Sequence, residues 1–125
     1  LRCAEEGTIT ENYEIPLKEI PPLCPNCAAL LRPHVVWFGE SISPTILQKS
    51  IQISSECDVM FVIGTSTVVQ PAASLPFEAS EAGAKIVEIN LDPTPLSLYT
   101  DFSIRGKSGE ILPLIDEELK KTSKA

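Results

Sequence analysis

The sequence has few basic residues and no long apolar run, and each of these absences excludes a class of protein. It contains 10 lysines and arginines against 17 aspartates and glutamates, for a net charge of −7, whereas nucleic-acid binding relies on clustered basic side chains. No apolar run approaches the ~18 residues of a membrane-spanning helix. We therefore expect no direct nucleic-acid partner and no membrane.

Cysteine is also scarce, with four residues in 125. An even count allows two disulfides. However, Cys24 and Cys27 have the C-x-x-C spacing of a metal-binding turn, and Cys57 precedes an apolar strand, where a buried thiol is ordinary. This usage favours a reduced, intracellular protein over a disulfide framework, and it leaves mitochondrion, cytoplasm and nucleus as alternatives.

Helical and strand patterns alternate through the second part of the sequence, which is typical of a parallel sheet covered by helices. A strand, glycine-rich loop and helix of the G-x-G-x-x-G type are missing. The sequence begins without an initiator methionine, and we interpret it as part of a longer protein whose absent strands complete the sheet. The predicted strands are 35–38, 58–63, 85–90 and 102–104, and the predicted helices are 44–54, 72–82 and 110–121.

We therefore predict an α/β fold with two parts. Residues 1–34 form a small lobe without a long helix, because their prolines exclude one, and the C-x-x-C turn within it indicates a zinc-ribbon type. Residues 35–125 form the C-terminal half of a Rossmann-like doubly wound parallel sheet. The strand 58–63 reads as a central strand covered on both faces, so the isolated chain is expected to expose an apolar edge and to associate.

The C-x-x-C turn Cys24-Pro25-Asn26-Cys27 can present two thiolates to one metal ion, and a structural zinc site needs four ligands. Cys3 supplies a third. Glu6 follows Cys3 at the same spacing as Cys27 follows Cys24 and is a candidate fourth ligand, although a carboxylate is harder than a thiolate. A partly hydrated ion, or a chance pair of cysteines with no ion, are the alternatives.

Polar residues follow two successive apolar strands directly. Gly64-Thr65-Ser66 comes after the first, and Asn90-Leu91-Asp92 after the second. Ligands of open α/β sheets bind in the crevice at the carboxyl ends of the strands, where glycine allows close approach and hydroxyl, amide and carboxylate groups bind polar ligands. We expect the two segments to share one ligand crevice.

The stretch Val36-Trp37-Phe38-Gly39-Glu40 lies shortly after the C-x-x-C turn. Together with the two strand-end segments, it makes the whole sequence resemble the sirtuins, NAD-dependent protein-lysine deacylases. The resemblance implies that Gly64 to Ser66 and Asn90 to Asp92 contact NAD, and that Ser108 lies near the adenine or caps the last helix. It also implies that Val36 to Glu40 pairs with an acyl-lysine peptide. The family carries a second C-x-x-C pair, so Glu6 is a departure from its pattern.

By resemblance, the parent protein releases nicotinamide and forms O-acyl-ADP-ribose. The family's catalytic histidine lies upstream of the first cysteine, so we assign no catalytic residue here, not even the single histidine His34. We expect the isolated chain to be inactive. The motif around Trp37 is closer to class III sirtuins, which prefer succinyl, malonyl or glutaryl groups. The alternative is a non-catalytic zinc-ribbon module that binds ADP-ribose or a protein partner.

Overall fold

The computed structural model describes residues 1–122 of the chain. The last three residues of the predicted sheet domain 35–125 lie outside the described residues. The chain divides into two units, Leu1–Ile42 and Ser43–Ala125. Residues 35–42 therefore belong structurally to the first unit, with the cysteines, although the sequence analysis grouped them with the sheet.

The first unit is held together by a short antiparallel ribbon. Strand β1 (Arg2–Cys3) pairs with β2 (Leu31–Arg32), so Cys3 lies opposite Leu31 across the ribbon. The remainder of the unit is turns and irregular chain, as expected from prolines that disrupt helices and strands.

The predicted strand 35–38 is wrong. Residues 35–37 lie outside any helix or strand, and Phe38 and Gly39 form a turn, closed by the N–H of Glu40 donating to the carbonyl of Trp37 at 3.0 Å. An isolated strand leaves its backbone groups unpaired, and no other strand among residues 1–122 pairs with this segment.

The second unit contains a parallel sheet of three strands in the order β3-β4-β5, which confirms the predicted α/β class. A 3₁₀ turn, Ala72–Ser74, leads into α2, and a second, Pro95–Tyr99, precedes β5. The helices are α1 (Pro44–Glu56), α2 (Leu75–Glu81) and α3 (Ser108–Thr122), and the strands are β3 (Val59–Ile63), β4 (Lys85–Asn90) and β5 (Phe102–Arg105).

One face of β3 packs into the core and the other is exposed. Val62 is buried, whereas Val59, Phe61 and Ile63 are 48%, 45% and 37% exposed. Within the described chain β3 is an edge strand with only one face covered, in agreement with the expectation that the isolated chain exposes apolar surface there. The buried core comprises Val62, Ala79, Ala84, Ile86 and Leu96, with Cys57 and Met60 packed against it.

The boundaries of the helices follow from local chemistry. Proline begins α1, as predicted, but the Ser43 hydroxyl makes no capping hydrogen bond. Gly83 follows the end of α2 in a left-handed conformation, with φ of +102°, as expected of a glycine just after a helix. Among residues 1–122, no helix has the length and apolar character needed to cross a membrane.

Candidate functional site

The carboxyl ends of β3 and β4 border a crevice in the second unit. Its volume of about 270 Å³ lies near the lower end of the ~300–1,000 Å³ typical of small-molecule sites, so it suits one part of a dinucleotide. The crevice brings together Gly64, Asn90, Leu91 and Ser108 of the predicted cofactor-binding residues. Its complete lining is Gly64, Ile89, Asn90, Leu91, Gly106, Lys107 and Ser108.

The Asn90 side chain joins the two strand ends. Its Nδ2 donates to the carbonyl of Thr65 at 2.8 Å, and its Oδ1 accepts from the N–H of Leu91 at 2.9 Å. The N–H of Gly64 donates to the carbonyl of Ile89 at 2.9 Å. The two segments that the sequence analysis singled out are thus adjacent, as expected for neighbouring parallel strands.

Three of the predicted cofactor-binding residues lie outside the lining of this crevice. Thr65 lines a separate, mainly apolar pocket with Met60 and Val62. The carbonyl of Ser66 accepts from the hydroxyl of Thr67 at 2.8 Å. Asp92 is exposed, and its carbonyl accepts from Arg105 Nη1 at 2.8 Å.

The sequence analysis missed Gly106 and Lys107, which precede α3. The N–H of Gly106 donates to the carbonyl of Asn90 at 3.1 Å. Gly106 has φ of +154°, and an added Cβ would lie 3.1 Å from the Ile111 side chain, so only glycine fits without strain. The two glycines that flank Lys107 and Ser108 are the signal that could have identified this turn. Ser108 is the first residue of α3, and a helix N-terminus favours anionic groups.

A buried carboxylate on β4, Glu88, was also missed. It is completely buried, and four side chains donate to it. Burial raises the pKa of Glu88, but these hydrogen bonds lower it more, so the pKa lies below its ordinary value and the group is ionised. A charged residue inside the apolar strand Lys85–Asn90 was the available signal. The donors are the hydroxyls of Thr94, Ser97 (2.6 Å) and Ser103 (2.9 Å) and Arg105 Nη2 (2.9 Å).

Arg105 links this buried carboxylate to one of the predicted cofactor-binding segments. Its Nη2 contacts Glu88, while its Nη1 donates to the carbonyl of Asp92. The guanidinium thereby holds the backbone that follows Asn90 in one place. Glu88 and Arg105 therefore stabilise the backbone beside the crevice but do not line it.

In the first unit, the structure brings together Cys3, Glu6, Cys24 and Cys27. One potential ligand atom from each lies within 4.8 Å of all the others. The Sγ atoms of Cys3 and Cys27 are 3.5 Å apart, close to the ~3.8 Å between sulfurs bound at ~2.3 Å to a tetrahedral zinc ion. The donor set therefore fits a four-coordinate metal ion. Cys57 is separate, and its thiol donates to the carbonyl of Ser54 at 3.1 Å.

The pKa values of the Cys3 and Cys27 thiols shift in opposite directions. The backbone N–H of Glu6 lowers the pKa of Cys3. The backbone N–H of Ala29 lowers the pKa of Cys27, but desolvation and the neighbouring thiols raise it more, to about 11. A bound cation stabilises thiolates, so metal binding and deprotonation are coupled at such a cluster. Within the described chain none of the four cysteines forms a disulfide.

The predicted peptide-binding residues Val36 to Glu40 form an exposed loop in the first unit. Two hydrogen bonds from Arg32 to the Glu40 carboxylate, at 2.6 and 2.8 Å, close this loop. The same guanidinium lies 4.2 Å from the centre of the Trp37 ring. Its hydrogen bonds, with that from the backbone N–H of Trp37, lower the pKa of Glu40 to about 2. Phe38 is 90% exposed, which leaves an apolar side chain free to contact a partner.

Sequence comparison identifies relatives over nearly the whole chain. A family model described as the Sir2 family matches residues 1–71. The NAD-dependent protein deacylase 2 of Pyrobaculum aerophilum is 44% identical over 120 residues, which cover 96% of this chain and 48% of that protein. The chain therefore spans about half the length of the relatives it matches.

Solved structures resemble the chain as well. A mutant Sir2 homologue in complex with ADP ribose superimposes with a TM-score of 0.89 at 41% identity, covering 98% of this chain and 49% of that chain. A Sir2 complex with a p53 peptide and NAD+ superimposes with a TM-score of 0.71 at 36% identity, covering 81% of this chain and 42% of that chain.

Proposed function

Because the chain belongs to the Sir2 family, we propose that it is part of an NAD-dependent protein-lysine deacylase and binds the adenosine end of NAD. The observation that carries the proposal is the crevice where Gly64, Asn90 and Ser108 converge from two strand ends and the start of α3. Its limited volume fits the adenosine rather than the complete dinucleotide.

The groups around the crevice suit an adenosine phosphate. Leu91 is 62% exposed and offers an apolar surface to a base. Among residues 1–122, the Ser108 hydroxyl has no protein partner, so it is free to bind a ligand. Lys107 pairs only loosely with Glu110, at 3.5 Å on the surface, and its cation can approach a phosphate.

The remaining parts of the proposal concern the first unit. Val36 to Glu40 receives the acyl-lysine peptide, and the p53-peptide complex of a related protein supports a protein substrate. Cys3, Cys24 and Cys27 bind a structural zinc ion, which stabilises a unit with too little core to fold by itself. A preference for acidic acyl groups and an intracellular location stay predictions from the sequence.

Titration of the 125-residue chain with ADP-ribose tests the adenosine crevice. By NMR, we expect the amide signals of Gly64, Asn90 and Gly106 to shift, and those of the cysteine turns to stay in place. Asn90→Ala removes the link to Thr65 and should weaken binding by at least about tenfold, the equivalent of one lost hydrogen bond. Asn12→Ala, an exposed asparagine of the first unit, is the matched control. Wild-type chain whose signals do not move with ADP-ribose contradicts the proposal.

Turnover distinguishes the enzyme from the alternative, a non-catalytic module that binds ADP-ribose or a protein. The complete gene product that contains this sequence is incubated with NAD and acetyl-, succinyl- or malonyl-lysine peptides, and nicotinamide is measured. We expect release from the complete product and none from the isolated 125 residues. ADP-ribose binding without nicotinamide release from the complete product favours the non-catalytic module.

A further inference from the structure

The turn that contains Glu6 has the same backbone conformation as the C-x-x-C turn. The N–H of Gly7 donates to the carbonyl of Cys3 at 3.1 Å, just as the N–H of Ala28 donates to the carbonyl of Cys24 at 2.9 Å. Both donor residues are left-handed, with φ of +70° for Gly7 and +60° for Ala28. Glu6 therefore occupies in its turn the position that Cys27 occupies in the other.

The Glu6 carboxylate has no protein partner among residues 1–122 that explains its position. The two nearby cations, Arg2 and Arg32, both pair with Glu40, at 3.7 and 2.6 Å. The backbone N–H of Glu6 donates to the Cys3 sulfur at 3.4 Å, which ties this residue directly to a potential ligand. Its carboxylate oxygen lies within 4.8 Å of all three sulfurs.

We propose that Glu6 is the fourth ligand of the metal site, so that the ion is bound by three thiolates and one carboxylate oxygen. The inference rests on the proposed metal site and is independent of deacylation. One carboxylate in place of a thiolate leaves the ligand charge unchanged but makes the set harder. Relative to a four-thiolate site, this set favours zinc over softer ions such as cadmium.

Cobalt(II) substitution of the 125-residue chain tests the ligand set, because thiolate-to-cobalt absorption reports the number of sulfurs and the d–d bands report the fourth ligand. Glu6→Cys should increase the charge-transfer intensity by about one third, as the thiolates rise from three to four. Glu6→Gln should shift the d–d bands and weaken zinc binding by about tenfold or more, since even outer-shell partners contribute ~10–100-fold. In competition, Glu6→Cys should raise the affinity for cadmium relative to zinc.

Two controls locate the signal. Glu5→Gln changes the neighbouring exposed carboxylate of the same turn and should leave spectrum and affinity as in the wild type. Cys24→Ala removes a buried sulfur and should lower the charge-transfer intensity by about one third at saturating cobalt, because two of the three thiolates remain.

If Glu6→Gln has the same cobalt spectrum and the same zinc affinity as Glu5→Gln, the inference is overturned. The fourth ligand of the metal ion is then a water molecule. Metal binding by Glu6→Cys but not by the wild type overturns it as well. If neither the wild type nor any variant binds metal, both the proposed metal site and the inference about Glu6 are wrong. The ADP-ribose titration, which concerns the other unit, still decides the nucleotide proposal.

Discussion

At the scale of single residues, Glu88 shows how a buried charge can be accommodated. Its carboxylate is completely buried, yet hydroxyls and the Arg105 guanidinium supply donors for both oxygens. A buried charge is costly unless it is paired and hydrogen-bonded, and here each condition is met. The group connects β4, the 3₁₀ turn Pro95–Tyr99 and β5 through one set of hydrogen bonds.

Glu88→Gln is expected to lower the free energy of unfolding by about 3 kcal/mol, the lower end for breaking a buried ion pair, because Arg105 is 34% exposed and regains some hydration. Urea unfolding followed by circular dichroism measures the change. Since the folded pKa of Glu88 is lowered, its contribution is present above pH about 4.5 and is lost as the pH falls through the folded pKa. The variant should lose that acid sensitivity. Glu81→Gln, at an exposed site on α2, should change neither quantity.

At the scale of elements, the segment 33–40 forms a loop rather than a strand because of the contacts of one side chain, Arg32. Its apolar and aromatic residues favour a strand, but the described chain offers no neighbouring strand to pair with it. Arg32 instead contacts Glu40, the carbonyl of Val35 at 3.0 Å and the face of Trp37. A planar guanidinium can make all these contacts at once, and it shapes the segment into a loop.

Arg32→Lys should open this loop, because an ammonium cannot reproduce the two parallel hydrogen bonds to Glu40. We expect the pKa of Glu40 to rise from about 2 toward 4.5, which a carboxyl NMR titration measures, together with faster hydrogen exchange at the Trp37 amide. Arg2→Lys is the matched control, since Arg2 lies 3.7 Å from the same carboxylate and should shift the pKa less. An unchanged Glu40 pKa in Arg32→Lys would show that other groups hold the carboxylate.

At the scale of the whole molecule, the parallel sheet is incompletely covered. Parallel sheets normally have both faces buried, but Val59, Phe61 and Ile63 of the edge strand β3 are exposed. The relatives are about twice as long as this chain. An exposed apolar face of this kind favours association in the isolated chain.

The 125-residue chain is therefore expected to self-associate as its concentration rises, and Phe61→Lys should reduce that association by placing a charge in the middle of the exposed face. Sedimentation velocity over a range of concentrations measures the effect. Leu98→Lys changes a leucine that is 87% exposed on a different element and should leave the association unchanged. A wild-type chain that stays monomeric throughout contradicts the expectation.

The sequence by itself determined the features that depend on local pattern. Helical and strand periodicity located the elements of the second unit, because burial of one face imposes that periodicity. The residues after β3 and β4 indicated a crevice, since parallel strands end on the same side of a sheet. Gly64 and Asn90 could be identified in this way, whereas Ser108 was indicated only by the resemblance to sirtuins. The spacing of Cys24 and Cys27 indicated a metal ligand pair.

Only the tertiary structure decided the features that depend on residues distant in sequence. The donors to Glu88 are spread from Thr94 to Arg105, and no local pattern predicts that four side chains meet one carboxylate. Gly64 follows β3 and lines the crevice, whereas the next two residues, Thr65 and Ser66, lie outside its lining, a difference that their position after the strand does not predict. The spacing made Glu6 and Cys27 equivalent in their turns, but their proximity to one another depends on the β1–β2 ribbon, which helps bring the two turns together. Each outcome reflects long-range packing and pairing, which short-range propensities do not contain.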